Sequence, residues 1–342
     1  MTLAVNGRFL RAQASGMHRA ARALVDAARG AGIELEVLAP PGVDDPRVDR
    51  VVAGIRGRTG DHLWEQVALP LVTRKRALLS PTNTAPVAGR HNVVWVHDLA
   101  PLVGPHWFRR SMRGYARLVV TVARRAVVVL APSTAIANEL AGVGVPRSRV
   151  SVLRTPVDER FRPAPDDDVA ALRARHHLER PYVVHVGGDD PRKDAVAAVA
   201  AHLAVVDRQP HDLVLLGRSH VTFSPVAVPD APTVHRLGYV GDDELPALLT
   251  GAAALLFPSH YEGFGLPPLE AMSCGTPALV SDLPALREST WGLARYLPPG
   301  DVRAWSHALH EVLVERPATP ELPPWSPADM AAQLVAALGP VL

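Results

Sequence analysis

Short apolar runs alternate along the chain with segments whose apolar residues recur at helical spacing. Thr2–Val5 predicts a strand, Met17–Ala28 a helix, and Glu34–Ala39 a second strand stopped by Pro40-Pro41-Gly42. Ala77–Leu79, Asn92–Val96 and Ala126–Leu130 read as buried parallel strands. Between the last two, His106–Arg125 reads as one helix, with Arg109, Arg113 and Arg117 four apart and hence on one face. Thr155–Asp168, rich in Pro and Asp, reads as a linker. The pattern then restarts, with strands at Tyr182–Val186, Asp212–Leu216, Val234–Leu237, Ala252–Phe257 and Ala278–Val280. Helices are predicted at Val196–Val206, Glu244–Leu249 and Pro268–Ser273, and a last amphipathic one near Ala328–Leu338, after the Pro-rich stretch Pro317–Pro327.

Strands alternating with helices predict an α/β class with parallel sheets covered on both faces. The length, 342 residues, suits two domains at roughly 150 residues each. Two Rossmann-like domains facing each other across a cleft is the simplest arrangement, and parallel sheets place ligand sites at the carboxyl ends of their strands. The expected division is 1–160 for the first domain, 161–325 for the second, and 326–342 for the last helix.

Composition removes several classes of function. A 48 % hydrophobic and 20 % charged chain is that of a globular protein. The single cysteine, Cys274, excludes a disulfide framework and a Cys-built zinc site. No apolar run reaches the roughly 18 residues a membrane span needs, and the opening MTLAVNGRFLRAQ lacks the form of a signal peptide. Both point to a cytoplasmic protein. Charge is unevenly shared: residues 1–165 hold 24 Lys+Arg against 12 Asp+Glu, and residues 166–342 hold 12 against 22. The basic half suggests an anionic partner. Lys75 and Lys193 are the only lysines among 36 basic residues.

The most informative segment is Pro258–Pro284, PSHYEGFGLPPLEAMSCGTPALVSDLP. It leaves a strand, crosses Gly263-Phe264-Gly265 and enters a helix through Pro267-Pro268. Glycines let a ligand approach the backbone, proline suits a first helical turn, and a helix opened this way suits an anion. Glu262 and Glu270 address a ligand at two points.

This segment resembles the E-x7-E motif of retaining GT-B glycosyltransferases of family GT4, with Glu262 and Glu270 as its carboxylates. NGRFLRAQASGMHRAARAL, HLWEQVALP, PTNTAP, VVWVHDLAP, APSTAIANEL, SVLRTPVDERFRP, VVHVGGDDPRKD and RLGYVGDDELPALL are similar to that family's successive segments, so the resemblance covers nearly the whole chain. It implies a transferase that moves a hexose from a nucleotide diphosphate sugar, with retention and without a metal ion. In that light Glu262 faces the sugar hydroxyls and Gly263, Phe264 and Gly265 present N–H groups to sugar and diphosphate. Leu266 and Pro267 lie near the nucleoside, and Glu270 accepts from the ribose hydroxyls. Arg192 and Lys193 neutralise the leaving diphosphate, Gly16 approaches the donor phosphates, and His97 stands near the reacting carbon. The last helix crosses back onto the first domain, as in similar enzymes. No cofactor is implied, since the nucleotide sugar is a co-substrate. The blocks of the first half are similar to bacterial polysaccharide mannosyltransferases, which tilts the donor towards GDP-mannose and the acceptor towards a saccharide, lipid-linked or natural-product hydroxyl.

Other readings stay open on the residues themselves. Asp166–Asp168, Asp189-Asp190 and Asp242-Asp243 admit a metal site, but their place in a linker and in loops favours solvated turns. Trp64 and Glu65 admit acceptor contact or packing. Cys274 reads as a small hydrophobe, and the histidines other than His97 read as surface residues. The Arg109–Arg113–Arg117 face is a solvated helix, a seat for an anionic acceptor, or a contact with the inner face of an anionic membrane. No module or basic–aromatic interleaving points to nucleic acid. The alternative to an enzyme is a catalytically silent GT-B protein that supports a partner transferase; a diphosphate lysine counts against it.

Overall fold

The computed structural model describes residues 2–11, 16–54, 57–110, 112–217 and 222–339. The chain forms two compact units: Met1–Val103 with Arg113–Pro156 and Trp325–Leu342, and Gly104–Met112 with Val157–Pro324.

The first unit is built on seven strands, β1 (Leu3–Asn6), β2 (Leu35–Ala39), β3 (Arg50–Val51), β4 (Leu78–Ser80), β5 (Asn92–Trp95), β6 (Val128–Ala131) and β7 (Val150–Val152). They lie in the order β3-β2-β1-β4-β5-β6-β7, and every pairing is parallel. β1, β4, β5 and β6 are buried along their whole length, as strands covered on both faces require. The helix Gly16–Gly30 buries Ala20, Ala21, Leu24, Val25, Ala27 and Ala28 on one stripe. The helix Pro327–Leu338 buries Met330, Ala331, Leu334, Ala337 and Leu338 in the same core. It opens with a capping box, Ser326 and Asp329 satisfying each other's backbone N–H. Gln333 accepts from the Arg154 N–H at 3.0 Å, which ties this last helix to the end of β7.

The second unit carries β8 (Tyr182–Val186), β9 (Asp212–Leu216), β10 (Val234–Gly238), β11 (Leu255–Phe257), β12 (Ala278–Ser281) and β13 (Arg295–Leu297). Their order is β10-β9-β8-β11-β12-β13, again all parallel. Both sheets reverse direction beside their first strand, β1/β4 in one and β8/β11 in the other. In doubly wound sheets ligands bind at this reversal.

Three expectations change. His106–Arg125 is not one helix: Pro105–Trp107 is a short 3-10 turn, Phe108 is extended, and the helix spans Met112–Arg125. Arg109 therefore belongs to the second unit and Arg113 and Arg117 to the first, so the three do not share a helix face. Asp166–Asp168 are not a linker but the first turn of the helix Asp166–Arg175, where carboxylates complement the helix dipole. The helix expected at Pro268 starts two residues earlier, at Leu266. Among the described residues no helix is long and apolar enough to cross a membrane.

Candidate active site

The loops after β8 and β11 lie at the reversal of the second sheet, and they bring together most of the residues singled out from the sequence. After β8 the chain turns at Gly187 and reaches Asp190, which caps the turn Pro191–Lys193. Asp190 accepts from the Arg192 backbone N–H and from its guanidinium at Nε (3.0 Å) and Nη2 (2.6 Å). The guanidinium also lies over the rings of Phe108 and Phe223, 5.5 and 5.6 Å from their centroids. A cation fixed by a carboxylate and two ring faces keeps one orientation.

Lys193 points the other way. Its Nζ lies 2.5 Å from Glu262 Oε1 and 4.6 Å from the Phe257 ring centroid. Gly187 makes this packing possible, because a Cβ there would sit 2.4 Å from the Lys193 Cβ. The Lys193 and Glu262 side chains are mostly buried, at 16 and 8 % exposure, so the ammonium and carboxylate meet with little water around them.

Gly265 ends the loop in the left-handed region (φ 96°) and starts the helix Leu266–Ser273. A Cβ at this position would lie 2.3 Å from Leu286 Cδ2, so only glycine fits. Pro267 and Pro268 lack N–H groups, which leaves the amides of Gly265, Leu266 and Leu269 as the donors of the opening turn. Phe264 is buried and anchors the loop, and Glu270 is buried in the helix. Burial pushes the neighbouring Cys274 thiol up to about 12, so it stays protonated and unreactive.

In the first unit Gly16 opens its helix, and residues 12–15 lie outside the described residues. His97 follows β5. Its N–H donates to the Asn83 side-chain oxygen at 2.7 Å, and Nε2 lies 2.8 Å from the Pro81 carbonyl, so Nε2 carries the proton. Burial lowers its pKa to about 4, which makes it a neutral imidazole near pH 7 with Nδ1 as an acceptor.

At the reversal of the first sheet sits a polar network that the sequence did not reveal. Glu65 is fully buried and accepts from Asn6 Nδ2 (2.8 Å) and Thr84 Oγ1 (3.1 Å), while its Oε1 lies 3.3 Å from Arg8 Nε. Trp64 is buried too and donates to the Val52 carbonyl. The pair is packed, not presented to an acceptor. The available signal was a polar residue ending an apolar strand, Asn6 as the last residue of β1, but its partner lies 59 residues away.

Several histidines are not on the surface as expected. His185, His202 and His211 are buried, and His202 Nδ1 lies 2.9 Å from His211 Nε2. Among the described residues no group of three or more His, Cys, Asp or Glu is arranged to hold a metal ion.

Residues 180–315 match the family model described as glycosyl transferases group 1. The O-antigen chain mannosyltransferase RfbU of Salmonella typhimurium is 27 % identical over 244 residues, 70 % of this chain and 65 % of that protein. The O-antigen chain mannosyltransferase B of Escherichia coli is 35 % identical over 139 residues, 38 and 36 % of the two chains. The matches thus span less than two thirds of these relatives' own length. Among solved structures, HepE of Anabaena, in complex with UDP and glucose, superposes with a TM-score of 0.67 at 17 % identity, covering 99 % of this chain and 95 % of that one. WaaG, a glycosyltransferase involved in lipopolysaccharide biosynthesis, gives 0.69 at 13 % identity over 100 and 96 %.

Proposed function

We propose that the chain, which has the GT-B fold and matches the group 1 glycosyl transferases through residues 180–315, transfers a hexose from a nucleotide diphosphate sugar to the hydroxyl of a saccharide, lipid-linked or natural-product acceptor, with retention of configuration. The observation that carries this reading is the contact of Lys193 with Glu262 beside the helix opened by Gly265. It unites the cation for a leaving diphosphate, the carboxylate for sugar hydroxyls and backbone donors in one place.

Breaking the bond between sugar and diphosphate builds negative charge on the phosphates and positive charge on the ring. Lys193, Arg192 and the amides of Gly263, Phe264 and Gly265 meet the first charge. Such preorganised donors are usually the largest catalytic contribution, with about 3–4 kcal/mol lost on removing one. These cations supply the neutralisation, so the proposed reaction uses no metal ion. Leu266 and Pro267 border the nucleoside, and Glu270 receives the ribose. Gly16 approaches the phosphates and His97, neutral, accepts from the sugar. The relatives named as mannosyltransferases favour GDP-mannose as donor. We place the protein in the cytoplasm, with the basic first unit against an anionic membrane surface.

The test is turnover of GDP-mannose and UDP-glucose with saccharide and lipid-linked acceptors, read as nucleoside diphosphate release and as the anomer formed. An α-linked product from an α-linked donor is expected. A β-linked product contradicts retention, and no turnover of any nucleotide sugar contradicts the activity.

A further inference from the structure

His260 lies two residues before Glu262 and touches the Arg192–Lys193 turn twice. Its backbone N–H donates to the Arg192 carbonyl at 2.7 Å. Its ring Nε2 lies 2.9 Å from Asp194 Oδ2, the residue directly after Lys193. Asp194 is itself constrained: it sits in the left-handed region (φ 50°) and caps the helix Ala195–Leu203 by accepting from the Ala197 N–H at 3.1 Å. Its carboxylate thus serves the helix with one oxygen and His260 with the other. On the far side the His260 ring is stacked with Trp107, with 15° between their planes, and its side chain is 37 % exposed.

We propose that His260 is a positioning residue of the donor half-site, clamping the Arg192–Lys193 turn from both ends and, when protonated, cancelling the Asp194 carboxylate beside the two cations that meet the diphosphate. The inference rests on the nucleotide-sugar reading given above. Its physical content is a change of one charge. With the imidazolium in place the His260–Asp194 pair is neutral and adds no repulsion to the field of Arg192 and Lys193, each already facing one carboxylate, Asp190 and Glu262. With the imidazole neutral, an uncompensated carboxylate repels the diphosphate. The other charged or titratable groups on the elements packed here are Asp189, Asp190, Arg192, Lys193, His185, His202, Tyr261, Glu262 and His106. The Asp194 partnership raises the pKa of His260 above its ordinary value and lowers that of Asp194. The switch therefore falls on the neutral side of a free histidine.

Nucleotide sugars are suitable probes, because their diphosphate is a diester that does not titrate near neutrality. The experiment measures the affinity of the whole protein for GDP-mannose, UDP-glucose, dTDP-glucose and ADP-glucose as a function of pH, by thermal stabilisation and calorimetry. The bound sugar should weaken as pH rises through the His260 pKa, by about tenfold if the ligand shifts that pKa by one unit. Asp194→Asn keeps a competent helix cap and should move the step to lower pH. His260→Gln should remove the step and leave affinity flat at its weaker limit. Binding that is pH-independent in the unaltered protein, or a step that survives His260→Gln unchanged, overturns the inference while leaving the transferase reading intact. No binding of any nucleotide sugar at any pH overturns both.

Discussion

The Lys193 ammonium meets the Glu262 carboxylate at 2.5 Å across 69 residues of sequence. The two strands that precede them, β8 and β11, are neighbours at the reversal of the second sheet, so the topology brings the two loops together. Neither partner is exposed enough for the pair to be an ordinary surface ion pair.

Removing the ammonium leaves the mostly buried Glu262 carboxylate uncompensated, which lowers stability while keeping the fold, and takes a cation from the site. Lys193→Ala is expected to lower donor turnover by about 10²–10³-fold with an unchanged far-ultraviolet circular dichroism spectrum. Glu270→Ala should likewise fold normally and lose turnover. Steady-state kinetics of both variants decide the matter, and wild-type rates would remove these residues from the site.

Gly265 tolerates no side chain for two separate reasons, its φ of 96° and the Leu286 methyl 2.3 Å from where a Cβ would lie. Gly265→Ala is expected to cost about 2 kcal/mol or more of stability, by strain and by displacing Leu286. Urea unfolding gives the number; a change under 0.5 kcal/mol, the scale of an ordinary surface substitution, would contradict the geometry.

Acid should destabilise the protein before its carboxylates titrate. Burial lowers His97 and His185 to about 4 from the ordinary 6.5. Between these values the unfolded chain holds the proton and the folded one does not, so stability rises with pH. The contribution is fully present above pH 6.5 and is lost as pH falls towards 4, at about 1.4 kcal/mol per pH unit for each histidine. Urea midpoints at pH 7 and 5 check this, and equal stability at the two would show that neither histidine is buried neutral.

Arg113 and Arg117 remain exposed on one helix, four residues apart, although Arg109 does not join them. If the first unit rests on an anionic surface, each contributes about 1 kcal/mol. Replacing both with Gln should weaken co-sedimentation with phosphatidylserine vesicles at low salt by roughly thirtyfold. Equal recovery with neutral and anionic vesicles would dismiss membrane association.

Much of this architecture was legible in the residues. Val93, Val94, Val129 and Leu130 sit in apolar runs that only a doubly covered sheet accommodates, and Gly265 followed by two prolines marks a helix start. What escaped were features made by distant partners. β3, with two exposed residues, and β7, with one of three buried, carry little apolar signal. Glu65 looks like any helix-surface glutamate until β1 and β4 bring Asn6, Arg8 and Thr84 around it. The His106–Arg125 pattern is helical in spacing throughout, yet the helix is interrupted at Phe108, which is extended and pairs with Phe223. His260 and Asp194 are each unremarkable in sequence, and only the closing of the two loops makes them a pair.

The most direct test of the account is thermal stabilisation by GDP, UDP, dTDP, ADP and NAD, with Lys193→Ala measured alongside. A ligand at a hundredfold excess over its Kd contributes about 2.7 kcal/mol, a clear rise in Tm. The account predicts that one nucleoside diphosphate stabilises the unaltered protein and loses most of that effect in Lys193→Ala. Stabilisation by none of them, or equal stabilisation of both proteins, would contradict it.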